Sequence, residues 1–231
     1  MPAISILSGG AAQALVKALE PEFHAASGST IDGTFGAVGA MRARLAAGPT
    51  PDVVILTSAI VGELADGGIV QRETIADLGD VETAVAVREG DAAPDVGNAD
   101  ALREALLAAD AIYFPDPKLA TAGIHFAGVL EKLGIATPVA SRLRTFPNGA
   151  TAMAALAKAT EARPIGCTQV TEIVAVVGVT LVAVLPKGFD LSTRYTAAVV
   201  AASSHQDKAR ELVTLLTSED QSEARQRAGF V

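Results

Sequence analysis

Four turns rich in small residues carry the chemistry that this sequence predicts. Each turn follows a strand-like segment and leads into a helix-like one, so that backbone N–H groups at a helix start are left uncovered by bulky side chains. A helix start carries roughly +0.5 elementary charge and binds anions. The turns are Ser8-Gly9-Gly10-Ala11, Phe35-Gly36-Ala37-Val38-Gly39, Thr121-Ala122-Gly123 and Asn148-Gly149-Ala150-Thr151. Glycine and serine also make tight turns with no ligand, but four such turns together favour an anion site.

Two basic side chains lie close to the third turn. Lys118 precedes Thr121 in a polar loop and could supply positive charge to an anionic ligand, or simply be solvated. His125 falls in the first turn of the following helix. It could meet a ligand carboxylate or carry a proton, or pack on the helix face near Phe126.

A polar segment after a buried strand adds two further candidates. Gln169 could donate its side-chain amide to a ligand, and Glu172 could act as a base if burial raised its pKa. The alternative favoured for Glu172 is a helix residue that bridges to an arginine. Cys167 lies in an apolar strand and is expected to be an inert core residue.

Composition excludes several classes of protein. The chain has 18 Lys and Arg against 26 Asp and Glu, a net charge of −8, and no basic cluster, so we expect no nucleic-acid partner. The single cysteine excludes an intrachain disulfide and a cysteine-rich metal site. His24 and His205 look exposed and lie far apart in the sequence, so no histidine-rich metal site is expected either. Neither GxGxxG nor GxxxxGK[ST] occurs, so no nucleotide cofactor is expected. No apolar run reaches the roughly 20 residues of a membrane helix, so we expect no membrane insertion.

The elements that position these residues alternate along the chain and predict an α/β fold with a parallel sheet. The predicted strands cover residues 3–7, 30–35, 51–56, 82–88, 111–114, 142–146, 164–167, 179–186 and 195–201. The predicted helices cover residues 11–23, 40–47, 58–66, 100–109, 124–133, 149–159, 206–216 and 219–228, with a short helix or turn at 168–174. Asp100 is predicted to cap the fourth helix. In an open α/β sheet the four turns could face one crevice.

Four stretches of the chain together resemble the bacterial solute-binding protein family related to molybdate-binding proteins. They are residues 4–11, 34–59, 116–135 and 163–173, and the likeness covers nearly the whole chain. It implies a two-lobed class II periplasmic-binding-protein fold, each lobe a mostly parallel sheet flanked by helices. Lobe one would comprise residues 1–82 and 191–231, lobe two residues 83–190, and the ligand cleft would lie between them and close by hinge bending.

The chain departs from the molybdate-binding pattern at the ligand. Molybdate binders use hydroxyl groups in the first two loops and a tyrosine in the last turn, whereas Ala11, Ala37, Val38 and Gly39 offer no hydroxyl and Gln169 replaces the tyrosine. We therefore expect a small organic carboxylate. The predicted ligand-binding residues are Ser8, Gly9, Gly10, Ala37, Val38, Gly39, Lys118, Thr121, Ala122, Gly123, His125, Asn148, Gly149, Thr151 and Gln169. Gln169, Asn148 and Thr151 would orient the ligand.

Two alternative functions stay open. Some relatives of the family are enzymes, aconitate isomerase among them, and this implies a cofactor-independent isomerase of an unsaturated carboxylate with His125 and Glu172 as catalytic residues. A cytosolic ligand sensor is the other. No signal peptide is present, which predicts a cytoplasmic protein, or a periplasmic one with an ABC transporter permease as partner if a leader has been removed.

Overall fold

The computed structural model describes residues 3–231 and contains two compact units. Unit 1 takes in the chain up to Val81 and again Thr193–Val231, and unit 2 is Glu82–Ser192. The chain therefore passes from one unit to the other twice. Within the described residues no helix is both long and apolar enough to cross a bilayer.

Strands and helices alternate through both units. The strands are β1 (Ala3–Gly9), β2 (Thr30–Gly36), β3 (Val53–Thr57), β4 (Ala76–Arg88), β5 (Ala111–Pro115), β6 (Leu143–Phe146), β7 (Pro164–Gln169), β8 (Val179–Val184) and β9 (Ser192–Val199). The helices are α1 (Gln13–Ser27), α2 (Val38–Ala47), α3 (Ser58–Asp66), α4 (Ala99–Ala108), α5 (Thr121–Lys132), α6 (Ala136–Val139), α7 (Gly149–Leu156), α8 (Val170–Val174), α9 (Gln206–Thr217) and α10 (Ser222–Arg227).

In unit 1, β1 lies between β2 and β3 and is parallel to both, while β9 runs antiparallel to β3. The first four residues of β3 are fully buried, as expected for a parallel strand covered on both faces. Leu15, Leu19 and Phe23 recur at helical spacing on α1 and pack into the same core. The ends of β1, β2 and β3 that lead into helices therefore share one edge of the sheet.

In unit 2, β5 lies between β6 and β7 and is parallel to both, and β4 pairs antiparallel with β7 and β8. One face of this sheet packs against α4 and α5 through Leu102, Leu106 and Phe126. The other face packs against α7 through smaller side chains such as Ala152 and Met153. The predicted α/β fold is confirmed: each unit has a sheet with a parallel three-stranded part, extended by antiparallel strands and flanked by helices.

Element boundaries differ from the prediction where small residues continue an element. β1 runs to Gly9, so the first turn is only the 3₁₀ segment Gly10–Ala12. α2 begins at Val38 and α5 at Thr121, which places residues predicted as turns inside the first helical turn. Asn98, and not Asp100, caps α4, since its side-chain oxygen accepts a hydrogen bond from the N–H of Ala101 (3.0 Å).

β4 begins six residues before the predicted strand at Ala76, which makes it 13 residues long. Residues 76–81 contain two aspartates and a glycine, residue types that are rare in strands, and no strand was predicted there. In the structure Gly79 has φ 137°. Arg194 pairs with Asp80 (2.8 Å) and Thr196 donates to Asp77 (2.7 Å), so contacts with β9 hold the extended conformation. The helix predicted at 219–228 is divided into a 3₁₀ turn, Glu219–Gln221, and α10.

A buried carboxylate fastens the start of β3 in unit 1. Asp52 accepts hydrogen bonds from the N–H and Oγ of Ser5 (both 2.8 Å) and from Oγ of Ser203 (2.6 Å). His205, expected to be exposed, is half-buried with Nδ1 3.2 Å from Asp52. Burial raises the pKa of Asp52, but these hydrogen bonds more than offset it and leave the pKa below its usual value.

Replacing Asp52 with asparagine should lower the free energy of unfolding by about 2 kcal/mol at pH 7, because hydrogen bonds to a charged group are lost. A lowered pKa means that the contribution of Asp52 is present above about pH 4 and is lost as the pH falls through the folded-state value. Urea unfolding of both proteins from pH 7 to pH 3 measures this difference. A gap that stayed constant with pH would contradict the assignment.

Candidate functional site

In unit 1 the first two small-residue turns lie side by side. β1 and β2 are paired in parallel register, with Gly9 opposite Gly36. The 3₁₀ segment after β1 and the start of α2 after β2 therefore emerge from the same edge of the sheet. The first N–H groups of a helix have no partner within the helix, so both starts offer backbone donors. Ala37, Val38 and Gly39 form the start of α2. Ala37 and Val38 are buried.

The side chains at the ends of β1 and β2 offer little hydrogen bonding of their own, whereas the end of β3 carries the hydroxyl groups of Thr57 and Ser58. Ser8 is fully buried, and its hydroxyl donates to the carbonyl of Gly9 (2.8 Å). Gly9 is needed at this point because a Cβ atom there would lie 2.8 Å from the ring of Tyr195 and 3.2 Å from Val38. At the ends of β1 and β2 the donors that remain are thus backbone N–H groups.

In unit 2 the third turn forms the start of α5. Ala122 and Gly123 lie in the first helical turn and are buried. A Cβ atom at Gly123 would lie 2.3 Å from the carbonyl oxygen of Asp116 and 2.4 Å from that of Pro115, so only glycine allows the helix to approach the end of β5. Thr121 is half-buried at the first position of the helix.

The two basic candidates have different surroundings. Lys118 is exposed, in a loop shaped by Asp116, whose Oδ1 accepts the N–H groups of Lys118 (2.7 Å) and Leu119 (3.0 Å). His125 is half-buried, with Nε2 2.7 Å from the carbonyl oxygen of Phe189. Since a carbonyl only accepts, Nε2 carries the proton, and Nδ1 is the nitrogen left to meet a ligand. Sequence reasoning weighed packing near Phe126 and missed this contact.

The fourth turn is occupied by the chain itself. Glu172 is buried, its Oε1 accepts the N–H of Gly149 (3.1 Å) and its Oε2 accepts the hydroxyl of Thr168 (2.6 Å). The expected bridge from Glu172 to an arginine is therefore wrong: uncharged donors at the start of α7 hold this carboxyl group. Burial raises the pKa of Glu172, and hydrogen bonds from Thr168, Gly149, Ala150 and Gln169 offset only part of that effect.

Asn148 and Thr151 cap α7. The side-chain oxygen of Asn148 accepts the N–H of Thr151 (2.9 Å), and Thr151 Oγ1 accepts the N–H of Asn148 (3.3 Å). This capping box uses groups that the sequence assigned to a ligand. Gln169 is buried at the end of β7, where it precedes the first residue of α8. A ligand role for these three residues stays a prediction.

Cys167 is buried within β7, and burial raises the pKa of its thiol. This keeps the sulfur in its unreactive, protonated form, in agreement with the predicted core role. Among residues 3–231 no group of three or more His, Cys, Asp or Glu side chains is arranged to hold a metal ion.

Replacing Glu172 with glutamine should change how stability depends on pH. In the wild type, the raised pKa of Glu172 in the folded state means that Glu172 ionises first in the unfolded chain as the pH rises from about 4. The folded state therefore loses stability until the pH passes the folded-state pKa of Glu172. The glutamine does not titrate. We expect the stability of E172Q relative to wild type to rise as the pH increases from about 4, until the folded-state pKa of Glu172 is passed. Denaturant unfolding at each pH tests this, and a parallel pH dependence would contradict it.

Two site residues were missed in the sequence. Tyr195 lies against Gly9 and is the largest fully buried side chain of the described residues; its place just before the apolar run that ends β9 was the available signal. Thr168 binds the carboxyl group of Glu172. Its spacing of four residues from Glu172 was the signal there, although it lies at the end of a strand rather than in a helix.

Sequence comparisons match nearly the whole chain to one protein family. Residues 4–231 match the model of a family described as bacterial extracellular solute-binding protein. An aconitate isomerase from Pseudomonas sp. is 28% identical over 98% of this chain and 87% of its own length. The expected resemblance to solute-binding proteins is thereby confirmed.

Solved structures give the same fold. The periplasmic molybdate-binding protein of Azotobacter vinelandii superposes with a TM-score of 0.80 at 14% identity, over 99% of this chain and 98% of that one. PEB3 with bound L-phospholactate superposes with a TM-score of 0.70 at 14% identity, over 98% of each chain. The fold is that of periplasmic binding proteins, as predicted.

Proposed function

Because the chain belongs to the bacterial extracellular solute-binding protein family, we propose that it binds a small organic carboxylate through helix starts rich in small residues. The observation that carries this proposal is the unit 1 edge, where Gly9 and Gly36 are paired and the donors are backbone N–H groups. The hydroxyl of Ser8 donates to Gly9 instead of facing outward. A tetrahedral oxyanion needs donors around four oxygens, whereas a carboxylate has two oxygens on one side.

The apolar surroundings support an organic ligand. Val38 lies at the start of α2, and Leu119 and Ile124 are large apolar side chains exposed beside the start of α5. A carbon skeleton can cover such surface, and a hydrated inorganic anion cannot. PEB3 has the same fold with L-phospholactate bound, so this fold accommodates an organic anion. Lys118 and Nδ1 of His125 would balance the ligand charge.

Calorimetric titration with molybdate, sulfate, citrate, the aconitates and aromatic acids tests the proposal. We expect heat of binding with at least one organic acid and none with molybdate or sulfate. Tighter binding of molybdate than of every organic acid would overturn the carboxylate assignment. No heat with any member of the panel would count against the proposal as a whole.

The relative at 28% identity favours one second candidate, isomerisation of an unsaturated carboxylate without a cofactor. His125 through Nδ1 is then the acid or base, and Glu172, which is buried with both oxygens hydrogen-bonded, is the weaker choice. Incubation of the protein with cis-aconitate, with trans-aconitate measured by chromatography, tests this second candidate. Turnover that survives His125→Ala and Glu172→Gln would remove both assignments, and no turnover would leave binding alone.

The family description supports a place outside the cell. An ABC transporter permease as partner is supported by the similar fold of the substrate-binding domain of a putative molybdenum ABC transporter from Clostridium difficile. Cell fractionation with an antibody against the protein tests the location. Recovery only in the cytoplasm would favour the sensor or the enzyme.

A further inference from the structure

The first turn of α7 already holds a carboxyl group, that of Glu172. Glu172 lies 23 residues further along the chain, on α8, and both of its oxygens are bonded to donors of unit 2. Its partners are N–H groups of Gly149, Ala150 and Gln169 and the hydroxyl of Thr168. All of them are uncharged, so the positive end of α7 stands in for a cationic partner.

The space around Glu172 is shaped for this group. A Cβ atom at Gly149 would lie 1.9 Å from Oε2 of Glu172 and 2.1 Å from Oγ1 of Thr168. Thr168 is fully buried, and Glu172 is only 7% exposed. A bare Cα, a hydroxyl donor and a helix start thus enclose one carboxyl group, as they would enclose a bound ligand.

We propose that Glu172 is a built-in anion and a specificity-determining residue: its carboxyl group takes the place that the start of α7 would give to a ligand carboxylate. The first half of this proposal, that Glu172 is a built-in anion, concerns the protein alone. The second half, that Glu172 determines specificity, rests on the proposed function, because it says that the ligand brings one anionic group fewer than the small-residue helix starts could hold. The groups at α5 then carry the ligand contacts of unit 2.

The first half is tested without any ligand, by rescue with formate. Glu172→Ala leaves the N–H of Gly149 and the hydroxyl of Thr168 without their partner, and a free formate ion fits the space. We expect the melting temperature of E172A to rise with sodium formate, saturably, above a sodium chloride control of equal ionic strength. Wild type and Glu172→Gln, whose amide fills the space, should show no such rise. Equal responses in all three proteins would overturn the proposal.

If E172A does not fold, Glu172→Ser offers a smaller loss of polarity in the same space and is titrated in the same way. Saturable stabilisation of that variant by formate supports the proposal. A folded variant that formate does not stabilise would refute it.

The second half is tested by selectivity. Affinities of wild type and E172A are compared for matched monocarboxylate and dicarboxylate pairs, such as butyrate and succinate, by calorimetry. We expect the ratio of dicarboxylate to monocarboxylate affinity to rise about tenfold in E172A, the effect of one hydrogen-bonded charged group. An unchanged ratio would refute the selectivity role. Absence of binding by wild type to every organic acid would instead refute the proposed function, and the formate result would still stand.

Discussion

Replacing Gly149 with alanine should destabilise the protein by about 3 kcal/mol or more, because the methyl group would enter a fully occupied space. The new Cβ atom would lie 1.9 Å from Oε2 of Glu172, 2.1 Å from Oγ1 of Thr168 and 2.5 Å from Cδ of Glu172. All of these atoms belong to buried side chains, so none can swing into solvent. Either the carboxyl group leaves the helix start or α7 moves away from the sheet.

Thermal unfolding measures the loss, which corresponds to a fall in melting temperature of roughly 6–12 °C for a chain of this size. Gly128→Ala is the matched control, because Gly128 lies exposed within α5 and a Cβ atom there meets nothing within 4 Å. That variant should gain up to about 1 kcal/mol from helix propensity. A G149A protein as stable as G128A would show that the carboxyl group does not lie where the structure places it.

The double variant G149A/E172A identifies the cause. If the clash with Glu172 dominates, removal of the carboxyl group relieves it, and the double variant loses less stability than the sum of the two single variants. Strict additivity would place the strain elsewhere in the first turn of α7.

The same region shows what the sequence could and could not reveal. The parallel strands and the small-residue turns follow from local patterns: apolar runs, glycine pairs and helical spacing after each turn. They correctly placed Gly9 beside the start of a helix in unit 1. The role of Glu172 depends on its contact with Gly149, which is 23 residues away, and no local pattern reports such a contact. The bridge to an arginine was the ordinary expectation for a glutamate, and burial overturned it.

β4 illustrates the same limit in the backbone. Its residues 76–81 contain two aspartates and a glycine with positive φ, which locally favour a turn. The strand forms because Arg194 and Thr196 on β9 bind those aspartates. His125 is a third case, since its partner is a backbone carbonyl, which any residue could supply. Sequence patterns thus report the elements well, but they do not report which side chains those elements bring together.

Replacing Val38 with proline should weaken binding of the preferred carboxylate about 10- to 100-fold, the second large effect that we expect. Val38 is the first residue of α2, a position that proline accepts, and Ala37 before it has the extended conformation (φ −59°, ψ 137°) that a following proline requires. The substitution therefore removes one N–H donor from the unit 1 edge with little change in backbone. A hydrogen bond to a charged group contributes about 1.5–3 kcal/mol, which gives the expected range.

Ala99→Pro separates this effect from a general effect of proline. Ala99 is the exposed first residue of α4, and Asn98 before it is also extended (φ −148°, ψ 174°). Both variants should unfold at temperatures close to wild type, and only V38P should lose affinity in calorimetry with the tightest-binding acid of the panel. Wild-type affinity in V38P would show that the start of α2 does not hold the anion.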